Sequence, residues 1–321
     1  MSGESGTAAF RAGDYETAIT HFTQHAQWGD AAAQNNLGVM YLRGYGVDQD
    51  FVAAREMFEK AADQELAGAI FNIAMMHLRG YGTAPDDQAA LPWLQRAAHL
   101  DDIDAQFFLG LVFQRDNGVQ RDIDLAISWF EKAAANGSIP AQFNLGIIFL
   151  TELGDVERAE HWLRLAANSG HAPASVALAR MDLQQGQDDG QRKRGEKRLR
   201  TLAEEGNRDA QTYLGLFYLT QKTDFAIVEE GEFWLKQAAL HGSATAQLNL
   251  GALHAGGGGS QPDLVEAFAW LSVSAQGGNP DAKAMISGME NELSPAEVQQ
   301  ARARSAVLQR NIERNLKLTA K

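Results

Sequence analysis

The stretch that decides the fold is Ala105-Gln-Phe-Phe-Leu-Gly110-Leu-Val-Phe-Gln-Arg115-Asp-Asn-Gly118-Val-Gln-Arg-Asp122-Ile-Asp-Leu-Ala126-Ile-Ser-Trp129-Phe-Glu-Lys-Ala133-Ala134-Ala-Asn-Gly137. It holds two apolar runs at helical spacing, split by a glycine loop and closed by a second glycine. It also recurs along the chain. The motif Asn36-Leu37-Gly38 returns as Asn72-Ile73-Ala74, Phe108-Leu109-Gly110, Asn144-Leu145-Gly146, Ala177-Leu178-Ala179, Tyr213-Leu214-Gly215 and Asn249-Leu250-Gly251. Its small residue falls at 38, 74, 110, 146, 179, 215 and 251, a step of 36 broken by one step of 33. The pairs His25-Ala26, Ala61-Ala62, Ala97-Ala98, Ala133-Ala134, Ala166-Ala167, Leu202-Ala203, Ala238-Ala239 and Ser274-Ala275 keep the same steps. A period of this length means stacked supersecondary units, each burying the face its neighbour exposes.

Each period reads as two helices. Helix A carries Ala-Gln-x-x-Leu-Gly-x-x-Tyr, as in Ala33 to Tyr41, and ends in a loop such as Gly44-Tyr45-Gly46 or Gly80-Tyr81-Gly82. Helix B carries a small residue, a large one three later and a small pair after that: Ala126, Trp129, Ala133 and Ala134, or Ala159, Trp162, Ala166 and Ala167, or Ala267, Trp270, Ser274 and Ala275. These positions share one helical face, so the Trp is expected to fill the gap the alanines leave. The implied fold class is all-α: a right-handed α/α superhelical solenoid of helix-turn-helix repeats. Length alone, 321 residues, would suggest two domains of about 150 residues; the repeat replaces that with one elongated array.

Composition excludes several classes. With no Cys there are no disulfides, thiol nucleophiles or thiolate metal sites. A net charge of −13 has the wrong sign for coating nucleic acid or anionic lipid, which directs the search toward protein or peptide partners. No apolar run reaches the roughly 18 residues of a bilayer span, so membrane insertion is not expected. The opening Met1-Ser-Gly-Glu-Ser-Gly lacks the basic and apolar regions of a signal peptide. A full-length chain is thus expected in the cytoplasm, and a processed mature form in the periplasm.

The pattern Ala-x-x-x-Leu-Gly-x-x-Tyr, Gly-x-Gly-Val, Asp, Ala, Trp and Lys-Ala-Ala-x-x-Gly resembles the Sel1-like repeat, a relative of the tetratricopeptide repeat. The resemblance covers roughly residues 14 to 289, as seven full units with a half unit at each end. It divides the chain into an N-terminal capping half-repeat (1–30), seven repeats of about 36 residues (31–278), and a final half-repeat with a C-terminal capping helix (279–321). The sixth unit departs from the pattern, with Gly195 and Arg198 in place of Ala and Trp and a polar insertion from Gln184 to Arg194; it is expected to be the loosest point. At the N-terminus only a stub of helix A is expected before Tyr15 to Trp28. At the other end Ser294-Pro295-Ala296-Glu297 is a capping box opening a helix with Val298, Ala301, Ser305, Leu308 and Ile312 on its inner stripe. Arg302, Arg304, Arg310, Arg314, Lys317 and Lys321 make its outer side basic, a solvated cap or a docking helix for an acidic partner.

No catalytic or metal constellation emerges, and no cofactor is expected. His21 and His25 have a zinc-compatible spacing, but no general-base Glu accompanies them and both fall at packing positions. His77, His99, His161, His171, His241 and His254 are dispersed. The glycines 256 to 259 lack the Lys-Ser/Thr of a phosphate loop, and Asp86-Asp87, Asp101-Asp102 and Asp188-Asp189 sit where helices start. The basic run Arg192, Lys193, Arg194, Lys197, Arg198 and Arg200 has no interleaved aromatic and reads as an exposed helix start. In related tetratricopeptide arrays the A helices line the concave side, and three ladders would face it if this chain is similar: Arg43, Arg79 and Arg115; Asn36, Asn72, Asn144 and Asn249; and Phe71, Phe107 and Phe143. The arginines could equally complement helix C-termini, and the asparagines bond a neighbouring helix.

The function this implies is a non-catalytic scaffold or adaptor binding a protein or peptide on the concave face, as a monomer or weak oligomer. The alternative is a periplasmic or secreted protein acting on cell-envelope processes as regulator, inhibitor or cell-wall-associated enzyme. Some Sel1-like proteins are linked to penicillin binding, but through repeat-bracing cysteines absent here.

Overall fold

The computed structural model describes residues 3–185, 188–221, 225–256, 262–289 and 292–319. Among them are eighteen α-helices in tandem and no strand. The chain divides into two compact units, 1–169 and 170–321. The first holds α1 (Gly3–Arg11), α2 (Tyr15–Gln27), α3 (Ala31–Arg43), α4 (Phe51–Ala62), α5 (Ala67–Arg79), α6 (Asp87–His99), α7 (Ile103–Gln114), α8 (Ile123–Ala135), α9 (Ile139–Thr151) and α10 (Val156–Asn168). The second holds α11 (Ala172–Gln185), α12 (Asp189–Glu204), α13 (Arg208–Gln221), α14 (Phe225–Leu240), α15 (Ala244–Gly256), α16 (Leu264–Gln276), α17 (Pro280–Met289) and α18 (Pro295–Thr319). Within each unit, odd-numbered A helices pair with the even-numbered B helices that follow them, and each B helix packs on the next A helix.

Helix boundaries follow the sequence closely. Among the described residues nine N-caps are Asp whose carboxylate accepts from backbone amides of the first turn: Asp14, Asp30, Asp50, Asp86, Asp102, Asp122, Asp155, Asp188 and Asp263. Much of the acidic excess is therefore capping. The Asp before helix B also donates its own amide back to the A helix, Asp50 to Tyr41, Asp86 to His77 and Asp122 to Phe113, which fixes the hairpin loop. Helix B closes on a left-handed residue at the same register each time. It is Gly at 29, 137, 170, 206, 242 and 278, but Glu65 and Asp101, both at φ 59°, occupy it in two hairpins.

The hairpin interior corrects the sequence expectation. The residue that fills the gap is not the Trp three after the small residue but the side chain four after it. Phe58, Leu94, Phe130, Leu163, Leu199, Leu235 and Leu271 are all fully buried, whereas Trp93, Trp129 and Trp162 are only half-buried. The two positions are about 100° apart on the helix, and the nearer one meets the small residue of helix A. A Cβ on Gly38 would lie 2.7 Å from Phe58, on Gly110 2.5 Å from Phe130 and on Gly251 2.5 Å from Leu271. At the same register Trp234 and Trp270 of the last two hairpins are buried as well.

A Gln that recurs at one register of the A helices explains how hairpins are stitched. Gln34, Gln106, Gln211 and Gln247 are buried, and each donates to a C-terminal carbonyl of the preceding B helix: Ala26, Ala98, Ala203 and Ala239. Three of them also accept from a residue just past the B helix of their own hairpin, Gln34 from Gln64, Gln106 from Asn136 and Gln211 from His241. In α5 the position is Ile70, and there Arg96 supplies the missing donor, to Ala62 O at 2.6 Å.

The ends depart from expectation in two ways. At the N-terminus α1 is a helix of nine residues rather than a stub, and Gly6 plays the small-residue role against Phe22, where a Cβ would come within 2.9 Å. At the C-terminus the capping box forms, Ser294 N–H donating to Glu297 and Glu297 N–H to Ser294 Oγ. Ala301, Ser305, Leu308 and Ile312 are buried along the expected stripe. Arg304, however, turns inward and makes two hydrogen bonds with the Glu266 carboxylate, at 2.8 and 3.0 Å, clamping α18 to α16.

In the sixth hairpin, α11–α12, the departures from the pattern make specific contacts. A Cβ on Gly195 would lie 2.6 Å from the Ala179 carbonyl oxygen, so glycine permits a closer approach of α12 to α11 than alanine would, and Arg198 pairs with Asp182. Residues 186–187 of the insertion, and 257–259 of the tetraglycine, lie outside the described residues.

Candidate functional site

Helix geometry places residues i, i+3 and i+7 on one face. On the A helices of the first unit that face carries three parallel series. The first is Asn36, Asn72, Phe108 and Asn144; the second is Val39, Met75, Leu111 and Ile147; the third is Arg43, Arg79 and Arg115, followed by Thr151. The first two series are half-buried and the third is exposed. Neighbouring A helices touch along this face, through a hydrogen bond from Asn72 Nδ2 to Asn35 Oδ1 at 2.9 Å and a contact of the Phe71 and Phe108 rings at 5.6 Å. The result is an apolar ridge flanked by a row of cations.

The three arginines end their A helices, where a cation complements the C-terminal carbonyls. Arg115 does this directly, donating from Nε to Leu111 O at 3.1 Å, and its guanidinium lies 3.9 Å from the buried Asp87 carboxylate. Asp87 stands where the two preceding B helices begin with Tyr15 and Phe51, whose rings stack on the loop tyrosines Tyr45 and Tyr81. An ion pair thus takes the place of the aromatic stack. Arg43 lies 5.9 Å from the Tyr81 ring centroid. Arg79 is exposed and has no ion-pair partner among the described residues.

The asparagines do not act as one set. Asn72 joins two A helices, while Asn144 and Asn249 donate back to Pro140 O and Thr245 O of their own helices; Asn249 is in the second unit, on α15. Asn36 is half-buried at the same register. The phenylalanines sit one residue before that face. Phe107 contacts the buried Phe130 ring at 5.8 Å and Phe108 at 5.5 Å, so it belongs to the hairpin interior as much as to the surface; Phe71 and Phe143 are half-buried. The sequence reading missed the ridge Val39, Met75, Leu111 and Ile147. Stepping three residues on from the Asn series would have found it.

Elsewhere the structure accounts for other titratable groups. His25 is buried, edge-on to Trp28 at 4.9 Å. Of the basic run, Arg198 pairs with Asp182 and Arg200 with Glu230, while Arg192, Lys193, Arg194 and Lys197 are exposed on α12. Tyr218, held above its ordinary value by burial and by its hydrogen bond to Glu196, joins the Arg200 network. Among the described residues no three His, Asp or Glu side chains cluster as a metal site, and no helix is long and apolar enough to cross a membrane.

No curated protein matches the chain. Among solved structures it is similar to a protective antigen of uropathogenic Escherichia coli strains, described as displaying an SLR fold, at 25% identity and TM-score 0.52, over 95% of this chain and 75% of that one. It is also similar to a Sel1 repeat protein from Oxalobacter formigenes, at 23% identity and TM-score 0.55, over 85% of this chain and 96% of that one. The family model of the Sel1 repeat matches residues 31–66, 67–102, 103–138, 139–171, 208–243 and 244–279, and each match spans one A–B hairpin. The interval left unmatched is the α11–α12 hairpin, whose glycine and arginine substitutions are described above. Sel1 repeat proteins are typically non-catalytic helical solenoids that mediate protein–protein interaction. With the repeat matched over about two thirds of its length, this chain belongs to the Sel1 repeat family.

Proposed function

We propose that this protein is a non-catalytic scaffold that binds a partner protein or peptide on the A-helix face of its first unit. The observation carrying this is the in-register ridge of Val39, Met75, Leu111 and Ile147, half-exposed and flanked by exposed Arg43, Arg79 and Arg115. Isolated apolar residues on a surface need no explanation; a row of them repeated on four successive A helices is a contiguous patch suited to a partner. Apolar anchors beside arginines are the composition of interface hot spots. The face is cationic within a chain of net charge −13, which favours partners presenting carboxylates.

Site-specific photo-crosslinking tests this. A photoreactive residue replacing Leu111 should capture one discrete partner in native extract, and the same residue replacing Val52, exposed on α4, should not. Combining the Leu111 probe with Arg43→Glu, Arg79→Glu and Arg115→Glu should abolish the adduct. An adduct formed equally from both positions, or indifferent to the charge reversals, would refute the assignment.

A further inference from the structure

The second unit holds a different surface, at the C-terminal cap. Helices α16, α17 and α18 enclose an open trough of about 620 Å³. Its floor is apolar, from Phe268 of α16, Ile286 of α17 and Ala306 of α18. Two arginines stand over it, Arg302 and Arg310, both exposed and neither with an ion-pair partner among the described residues. Among the described residues no acidic side chain lines it. Arg304, between them in sequence, is already engaged by Glu266, so the two free cations are not simply a spare half of that clamp.

A second observation lies at the trough wall. Ser305 is 3% exposed, lines the trough wall, and its Oγ has no hydrogen-bond partner. A buried hydroxyl left unpaired costs stability, and alanine at this helix position would avoid the cost with better helix propensity. A donor retained there, beside two unpaired guanidinium groups and an apolar floor, is a ready-made arrangement for a ligand that brings acceptors.

We infer that this trough binds an acidic peptide segment of another protein, one apolar side chain seated on Phe268 and Ile286, flanking carboxylates on Arg302 and Arg310, and an acceptor oxygen on Ser305 Oγ. Charge complementarity selects the occupant: an anionic segment is drawn to the two guanidinium groups, and no carboxylate on the wall repels it. The surface shares no residue with the face of the first unit, so either assignment stands or falls without the other.

The test is fluorescence anisotropy on the full chain with a labelled, amidated peptide Glu-Asp-Leu-Glu-Asp beside its uncharged counterpart Gln-Asn-Leu-Gln-Asn. The acidic peptide should bind saturably and at least about ten-fold tighter than the amide version, with affinity falling as salt rises. Arg302→Glu with Arg310→Glu, both on exposed positions, should weaken it by about ten-fold or more at unchanged helicity. Ser305→Ala should weaken binding about five-fold while raising the melting temperature of the free chain, opposite signs that a merely structural serine would not give. Equal binding of the two peptides, or retention of affinity in the double reversal or in Ser305→Ala, overturns the inference. Absence of peptide binding overturns it too. If sedimentation then shows self-association lost in the double reversal, the trough is instead an interface with a second copy.

Discussion

Replacing Gly110 by Ala tests the packing rule that sets this fold. The added Cβ would sit 2.5 Å from two ring carbons of Phe130, about 1 Å inside ordinary carbon–carbon contact, and Phe130 is fully buried. Either the ring leaves its rotamer or α7 and α8 part, and such overpacking costs about 1–3 kcal/mol. Alanine recovers about 1 kcal/mol of helix propensity, so a net loss of up to about 2 kcal/mol is expected. The control is Gly68→Ala on α5, where nothing lies within 4 Å of the new Cβ and the propensity gain should appear alone. Leucine opposite the small residue does not by itself make room, since a Cβ on Gly146 would lie 2.5 Å from Leu163 and one on Gly251 2.5 Å from Leu271. Phe130→Ala removes the clashing ring and leaves a cavity of its own, so its cost and that of Gly110→Ala should not add, with a coupling energy of at least about 1 kcal/mol in the double-mutant cycle. Urea unfolding followed by circular dichroism gives the energies, and hydrogen exchange at α7 and α8 amides localises them, since repeat arrays do not always unfold in one step. The reasoning fails if Gly110→Ala stabilises as much as Gly68→Ala, or if the two substitutions are additive.

Three further outcomes follow from the same contacts. Gln211→Leu leaves the Ala203 carbonyl without its donor and His241 without its acceptor, and should cost about 1–3 kcal/mol by urea titration; a neutral result would refute the stitching role. Glu65→Gly relieves a left-handed residue at φ 59° and should stabilise by about 1 kcal/mol, whereas loss of stability would show that the Glu65 side chain contributes more than its backbone strain costs. His77 is held below its ordinary 6.5 by burial and then by the Arg55 guanidinium, and His171 by burial. His171 Nδ1 also accepts from the Ala174 amide, which a protonated ring cannot do. Both bind a proton more readily when unfolded, so their contribution is intact above about pH 6.5 and declines as pH falls from there toward the folded values. His77→Gln with His171→Gln should flatten that part of the stability–pH curve; an equally steep decline would exclude these groups as its source.

The period, the hairpin, the glycine stops and the Asp caps were all legible in the residues, because each is enforced locally. A left-handed turn selects glycine, a free helix N-terminus selects aspartate, and a step of 36 requires no knowledge of neighbours. The candidate surface was legible only in part. Arg43, Arg79 and Arg115 were visible as a ladder, yet the apolar ridge beside them was not, since Val39, Met75, Leu111 and Ile147 look like core residues in sequence.

That this chain is a stack of helical hairpins with small residues at the contacts follows from its residues alone. Tertiary structure alone decided which of two adjacent large residues fills each contact, Phe130 rather than Trp129, because both are apolar and only the neighbouring helix distinguishes directions 100° apart. It also decided that Gln211 meets His241 thirty residues away, that Arg96 covers for Ile70, and that Arg304 turns inward while Arg302 and Arg310 stay free. Those choices rest on which polar groups are buried opposite one another, and burial is a property of the packed helices rather than of any one of them.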